Sequence, residues 1–545
     1  MKIRYLFSAL TLVLLVGCSA TQSQKKQVVY EPPEEVIYES PDYEEEWMQP
    51  GVHPDRIMLN YGADPTTTAS VTWRTNTEEK TAYAEIAKAT AAPKFWRTSK
   101  RFTAKTTLLD GSLVEDAGIV ANYHSVTFDE LEPNTLYGYR VGDGDHWSEW
   151  IQFKTASTTN DKFSFLYVGD AQNNIFELWS RLIRQGFQKA PDARFIVHAG
   201  DLVSPANSEE DWEEWFKAGG FIHSMIAGFP SPGNHDYERI YEGEEKDEYQ
   251  QQLSIQWRPQ FTLPENGPKG IDELKETSYY MDFQGVRMIS VNSNIYREEQ
   301  AEWLKEILTN NPNKWTVVTF HHPLFNAKDG RSSEEWKDLL KPIFDEFHVD
   351  LVLQGHDHTY ARGRVAPKEY NLTSGVNKRD QTGTVYVVSI SGGKMYRSEK
   401  DWQQWEAELD RDAENTQLAQ VITVDHDTVR YQSYTATGDL YDAFDLIKNK
   451  KGPNTLVDRK SECITARNHN NTIAYHDKLP LDIKNAVLAK YRGFEIEIDK
   501  ANMRLDSIGS IYYDIDLEND STDVKIELKI NEAGVIFEEE IEIDN

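Results

Sequence analysis

Between Pro54 and Thr155 hydrophobic residues recur at every second position. Ser70-Val71-Thr72-Trp73, Tyr123-His124-Ser125-Val126-Thr127-Phe128 and Tyr137-Gly138-Tyr139-Arg140-Val141 alternate with turn residues between them, which predicts short antiparallel strands. At Phe163 the rhythm changes to brief apolar runs separated by amphipathic segments. The spacing predicts strands over Phe163–Val168, Arg194–Val197, Val286–Val291, Trp315–Phe320 and Asp350–Leu353, and helices over Ile175–Gln188, Glu209–Lys217, Glu298–Leu308 and Glu334–Phe347. Ser208 with Asp211, and Ser332 with Glu335, have capping-box spacing at two of the helix starts. Thr384–Ser389, Ala419–Val424 and Thr428–Tyr434 read as later strands closing a second sheet. After the basic, turn-rich Lys448–Pro453, the segments Phe494–Asp499, Val524–Ile530 and Val535–Ile543 alternate apolar and charged residues, as half-exposed antiparallel strands do.

Strand, helix and strand in succession predict an α/β core whose functional residues lie at the carboxyl ends of the strands. Leu131-Glu132-Pro133-Asn134-Thr135-Leu136-Tyr137 resembles the corner of a fibronectin type III-like β-sandwich, in which a Tyr ties back to the backbone. The expected organisation is multidomain: a fibronectin type III-like β-sandwich over 51–157, an α/β catalytic domain over 158–450, and a small C-terminal β-rich domain over 451–545. In the catalytic domain two sheets pack together, flanked by helices.

The chain begins differently. Lys2 and Arg4 precede an apolar run from Leu6 to Val16, the layout of a signal peptide over 1–17. Leu15-Val16-Gly17-Cys18 resembles the bacterial lipobox, which implies cleavage before Cys18 and lipidation of its thiol. Residues 18–50 are rich in Glu, Gln, Ser and Pro and read as a flexible acidic tether. The expectation is therefore an extracytoplasmic, membrane-anchored lipoprotein whose membrane contact is the lipid at Cys18. The only other cysteine is Cys463, so no disulfide framework stabilises the fold. A formal charge of −32, from 90 acidic and 58 basic residues, argues against nucleic acid as a partner. An anionic substrate would need metal ions or a local cationic group to invert that field.

Five clusters follow predicted strands in the catalytic region: Gly169-Asp170, Gly200-Asp201, Pro232-Gly233-Asn234-His235-Asp236, His321-His322-Pro323 and Gly355-His356-Asp357-His358. Together they supply carboxylate, amide and imidazole donors. A site for two hard divalent ions needs about seven of these, with one carboxylate shared. By contrast His53, His124 and His146 are isolated and read as strand or loop residues of the N-terminal region, and His198 falls inside a strand, where a structural role is expected. The Trp-rich stretches at Trp212 and Trp215, and at Trp402 and Trp405, read as packing.

In their order and spacing, the five clusters resemble those of the calcineurin-like metallophosphoesterases, and more closely the purple acid phosphatases. The motifs that carry this are Gly169-Asp170-Ala171-Gln172, Gly200-Asp201-Leu202-Val203-Ser204, Gly233-Asn234-His235-Asp236, Val318-Thr319-Phe320-His321 and Gly355-His356-Asp357-His358. The resemblance spans about residues 52–447 and includes the preceding β-sandwich. It implies that Asp170, Asp201 and His358 hold one metal and that Asp201, Asn234, His321 and His356 hold the other. A hydroxide between the ions would attack a phosphate monoester in line with the leaving oxygen. His235 is then the transition-state donor or leaving-group acid, His322 a contact to the phosphoryl oxygens, and Asp236 an orienter. The resemblance further implies a small phosphorylated substrate and two divalent metal ions, Zn, Mn or Fe, as cofactors.

Two positions depart from the family. Ser204 stands where the purple enzymes have a tyrosine ligand, so no coloured ferric–tyrosinate centre is expected. Gln172 stands where ordinary metallophosphoesterases have a histidine, and its amide oxygen is the candidate replacement donor. Two other readings of the same residues are a phosphodiesterase or nucleotide hydrolase on this metal core, and a surface-binding protein with a degenerate phosphoesterase domain.

Overall fold

A computed structural model of the chain describes residues 48–464, apart from 79–80, 242–248, 327–332, 368–371, 373, 397, 399–401 and 403–406. Beyond 464 it describes 487, 490–491, 495–496, 502–505, 511–518, 524–531 and 535–543. The expected leader, Cys18 and nearly all of the tether lie outside the described residues. No helix among those described is long and apolar enough to cross a membrane.

Two sheets form the centre of the molecule. In the first, Phe163–Val168, Phe195–Ala199 and Ala227–Ser231 run parallel, and every residue of the last two strands is buried. In the second, Val286–Ser290, Trp315–Thr319, Leu351–Gln354 and Val385–Val388 run parallel, and Tyr279–Phe283, Tyr360–Val365 and Ala407–Ala413 add antiparallel strands. Such strands read as continuous apolar runs because both faces are covered. Alternation divides the second sheet's side chains between two cores. Met288, Val317 and Leu351 face the first sheet, while Ile289, Val318 and Val352 pack with side chains of the helices Arg297–Thr309 and Glu334–Phe347.

The late strands sort differently from expectation. Val385–Val388 joins the second sheet, but Leu418–Asp425 and Thr428–Thr435 extend the first, Leu418–Asp425 pairing antiparallel with Phe163–Val168. The Lys448–Pro453 break is a hairpin connection: Asn454–Asp458 pairs back onto Leu440–Ile447, so the first sheet continues to Asp458. Local pattern identifies a strand without naming its partner, which explains both differences.

The N-terminal sandwich packs Lys100–Thr103, Tyr83–Lys88, Leu136–Gly142 and Ile151–Lys154 against Asp55–Tyr61, Ala69–Thr75, Val120–Phe128 and Lys105–Asp110. The expected tyrosine tie is present: the Glu132 N–H donates to Tyr137 Oη at 2.9 Å. Asp55–Tyr61 also touches Ala227–Ser231 in parallel register at Asn60 and Gly228, so sandwich and α/β core share one sheet.

Helix starts follow the sequence in one case and shift in the other. Ser208 Oγ accepts the Asp211 N–H at 3.0 Å. The second helix is capped at Ser333 without a side-chain hydrogen bond, and Ser332 lies outside the described residues. In the tail, Glu495–Ile496, Asn502–Leu505, Ile511–Glu518, Val524–Asn531 and Ile536–Ile543 form an antiparallel sheet.

Candidate metal centre

The carboxyl ends of the parallel strands of both sheets converge, and the five clusters sit there. Asp170 and Asp201 each follow a first-sheet strand by two residues, and His321 and His356 do the same in the second sheet. Asp170, Asp201, His356 and His358 all have positive φ, at 34°, 50°, 74° and 46°. Non-glycine residues adopt that conformation at a cost, and it collects at functional sites. Glycines beside them permit the close approach. A Cβ on Gly233 would lie 2.1 Å from Asp201 Oδ1, and one on Gly355 2.3 Å from Asp170 Oδ1.

The side chains form two groups that share one carboxylate. Asp201, His321 and His356 place donor atoms within 4.8 Å of one another, and so do Asp170, Asp201 and His358. His321 Nδ1–H donates to Ala199 O at 2.9 Å, which leaves Nε2 facing Asp201 Oδ2 at 3.1 Å and Asn234 Oδ1 at 3.2 Å. His358 Nδ1–H likewise donates to Lys394 O at 2.9 Å and turns Nε2 toward Asp170 Oδ2 at 3.6 Å. A carbonyl accepts only, so each contact fixes the tautomer that frees Nε2 for a ligand. His356 Nδ1 lies 3.1 Å from His321 Nε2, and the His356 backbone N–H donates to Asp170 Oδ1 at 2.9 Å. Gln172 is buried, and its Nε2 donates to Asp201 Oδ2 at 2.8 Å. Its Oε1 has no hydrogen-bond partner among the described residues.

The electrostatics of this cluster favour positive charge. Burial works against protonating His321, yet the facing carboxylates of Asp201 and then Asp170 outweigh it and push the imidazole up to about 9. Burial also opposes the ionised form of Asp201, but His321 and the His235 N–H hold its carboxyl well below the usual range. Oxygen and imidazole donors on a rigid frame, with net negative charge between them, suit divalent cations.

The flanking residues take distinct places. The His235 N–H donates to Asp201 Oδ1 at 2.7 Å, and its Nδ1 lies 2.8 Å from Ser204 Oγ. Ser204 is therefore turned toward His235. Asp236 is fully buried and ties two loops: Oδ1 accepts the Leu202 N–H at 3.0 Å and Oδ2 the Gly233 N–H at 2.7 Å. His322 Nδ1 lies 2.8 Å from Ser293 Oγ, which also accepts the His322 N–H at 3.1 Å. Asp357 is fully buried. His198 packs among Trp179, Trp215 and His223, with ring centroids 5.3 Å from Trp215. His124 is clamped between Thr75 and Thr106 in the sandwich, and His146 pairs with Asp143. Trp212, Trp215 and Trp402 are core residues, and Trp405 lies outside the described residues.

A cavity of about 630 Å³ opens over Asn234, His356 and His358. His235, His322, Arg239, Lys394 and Tyr396 line it. The last three escaped the sequence reading. Lys394 and Tyr396 lie well beyond the end of the strand Val385–Val388, whereas the recognised ligands stand two to four residues past theirs, so their position gave no signal. Two hydrogen bonds clip this segment to His358: its imidazole donates to Lys394 O, and the Tyr396 N–H donates to His358 O at 2.8 Å.

Comparison with known proteins matches these features. Residues 54–155 fit the N-terminal domain of purple acid phosphatases, and residues 163–360 fit the calcineurin-like phosphoesterase domain. The chain thus carries a purple acid phosphatase N-terminal domain followed by a calcineurin-like phosphoesterase domain. Phosphoenolpyruvate phosphatase of Allium cepa is 24% identical over 288 residues, 50% of this chain and 57% of that protein. Acid phosphatase type 7 of Danio rerio is 24% identical over 375 residues, 61% of this chain and 78% of the relative. The chain thus spans little more than half of the Allium protein. Among solved structures, purple acid phosphatase PPD1 from yellow lupin superposes with a TM-score of 0.59 at 18% identity, covering 73% of this chain and 75% of that one. The likeness to PPD1 is one of fold.

Proposed function

We propose that this chain is a dinuclear metal-dependent phosphatase acting on phosphate monoesters. The observation that carries the reading is Asp201, whose carboxylate belongs to both donor groups, as a bridge between two ions requires. Asp170, Asp201, His358 and the Gln172 amide oxygen would hold one ion, and Asp201, Asn234, His321 and His356 the other. Zn, Mn or Fe suits this donor set, and such ions when bound activate water and offset phosphoryl charge. His235 and His322 stand on the cavity wall, one to protonate the leaving oxygen and the other to contact phosphoryl oxygens. Arg239 and Lys394 supply the local positive charge that an anionic substrate needs on a chain of net charge −32. Lipidation at Cys18 would tether this activity to an extracytoplasmic membrane surface.

The test is metal content after saturation with zinc or manganese, combined with turnover of 4-nitrophenyl phosphate and bis(4-nitrophenyl) phosphate. The monoester should be the better substrate. Preference for the diester would make the enzyme a phosphodiesterase; less than about one ion per chain with no hydrolysis would leave a binding protein. Asn234→Ala should lose roughly 10²-fold or more in kcat with an unchanged melting temperature, and retained activity would refute the ligand assignment.

A further inference from the structure

His235 is held at two points. Its backbone N–H is bound by Asp201 Oδ1 at 2.7 Å, which fixes the main chain, and its ring by Ser204 Oγ at 2.8 Å through Nδ1. An imidazole on a fixed backbone still turns about its last side-chain torsion, which is broad and nearly two-fold, so the main-chain bond alone does not decide which ring nitrogen meets the cavity. The Ser204 contact decides it. With Nδ1 engaged, Nε2 is the nitrogen left to face the cavity that His235 lines.

Ser204 is itself immobilised. Its N–H donates to Asp211 Oδ2 at 2.9 Å, and Asp211 lies in the first turn of the Glu209–Gly219 helix, where Ser208 Oγ accepts its N–H. Fully buried Trp212 and Trp215 lock that helix into the core. Glu209 and Glu213 of the same helix pair with Arg56 and Arg74 of the N-terminal sandwich. The hydroxyl thus sits at the end of a rigid path running from the sandwich, through one helix, to the cavity wall. A surface serine making an incidental contact has no such support.

We propose that Ser204 is a positioning residue for His235, holding its imidazole so that Nε2 is aligned with the departing ester oxygen. This rests on the phosphatase reading above. In the step concerned, the oxygen of water forms the new bond to phosphorus and the ester P–O bond breaks. The alcohol oxygen leaves with the Nε2 proton of His235, and the proton released by the attacking water restores it. The contribution of such a proton grows as the leaving alcohol becomes more basic, so misalignment should show on poor leaving groups and hardly at all on good ones.

The experiment compares full-length wild type, Ser204→Ala and Ser204→Thr, each loaded with zinc, on 4-nitrophenyl phosphate and phenyl phosphate. Ser204→Ala should lower kcat on phenyl phosphate about tenfold, on the order of one lost hydrogen bond, with KM unchanged. On 4-nitrophenyl phosphate it should stay within about twofold, and Ser204→Thr, which keeps the hydroxyl, should restore the phenyl phosphate rate. A second readout needs no turnover. In the metal-free protein labelled with ¹⁵N-histidine, Ser204→Ala should shift one Nδ1 signal, assigned by its loss in His235→Ala. Equal loss on both esters, no loss on either, failure of Thr to rescue, or an unmoved Nδ1 signal would each overturn the inference. Wild-type protein that hydrolyses neither ester would instead overturn the phosphatase reading, and the inference with it.

Discussion

Gln172 Nε2 donates to Asp201 Oδ2 at 2.8 Å, so the residue that departs from the family pattern touches the carboxylate shared by both donor groups. The other end of its amide, Oε1, is buried without a partner among the described residues. Buried polar atoms seldom remain so, and the amide, turned over from its present placement with Nε2 toward Asp201 and His358, would offer Oε1 to a bound cation. Gln172→Ala should therefore lower the bound metal from about two ions per chain toward about one at limiting zinc. Titration calorimetry together with elemental analysis checks this, and undiminished binding would remove Gln172 from the ligand set.

Ser204 Oγ points to His235, and its hydroxyl stands where the purple enzymes carry the phenol that binds ferric iron. Iron-loaded protein should consequently lack a strong visible tyrosinate-to-iron band. Absorption spectroscopy of the reconstituted sample decides the point.

The joint between sandwich and core is ionic and dry. Arg56 Nη2 lies 2.6 Å from Glu209 Oε1, Arg74 Nη2 lies 3.0 Å from Glu213 Oε2, and the four side chains are at most 7% exposed. Removing one partner leaves uncompensated buried charge, which costs far more than an exposed pair contributes. Arg56→Ala should destabilise by roughly 3–5 kcal/mol in urea unfolding. Loss of less than about 1 kcal/mol would show that water enters the joint.

Three buried histidines give the fold an acid limit, and burial holds one of them, His198, well below the usual imidazole range. Burial lowers His124 to about 4; it does the same for His223, which stacks on Trp215 at 3.9 Å. In the unfolded chain both titrate near 6.5. Their stabilising contribution is therefore full above about pH 6.5 and is lost as pH falls from there toward about 4, because the unfolded state takes up protons that the folded state refuses. The loss amounts to roughly 3 kcal/mol for each of the two. Urea midpoints measured between about pH 7 and pH 4.5 should fall accordingly, and His124→Asn should flatten the curve.

Much of the centre was legible because its chemistry is local. Gly233-Asn234-His235-Asp236 announces itself because an amide oxygen, an imidazole and a carboxylate stand on consecutive residues of one turn. The helix Glu334–Phe347 was readable to the residue from its amphipathic period. Ser293, which holds His322, was not legible: a serine after a strand carries no mark of the histidine that a different strand brings to it. Asp357 was hidden for the same reason, as burial depends on what packs above a loop.

The sequence by itself determined the element types, the donor inventory and the order of the five clusters, because periodicity and residue chemistry act over a few positions. Tertiary structure alone decided that Leu418–Asp425 lies beside Phe163–Val168, that Asp201 joins both donor groups, and that Ser204 faces His235. Those contacts close loops of about thirty to two hundred and fifty residues, and no local pattern specifies which distant partner will make such a closure favourable.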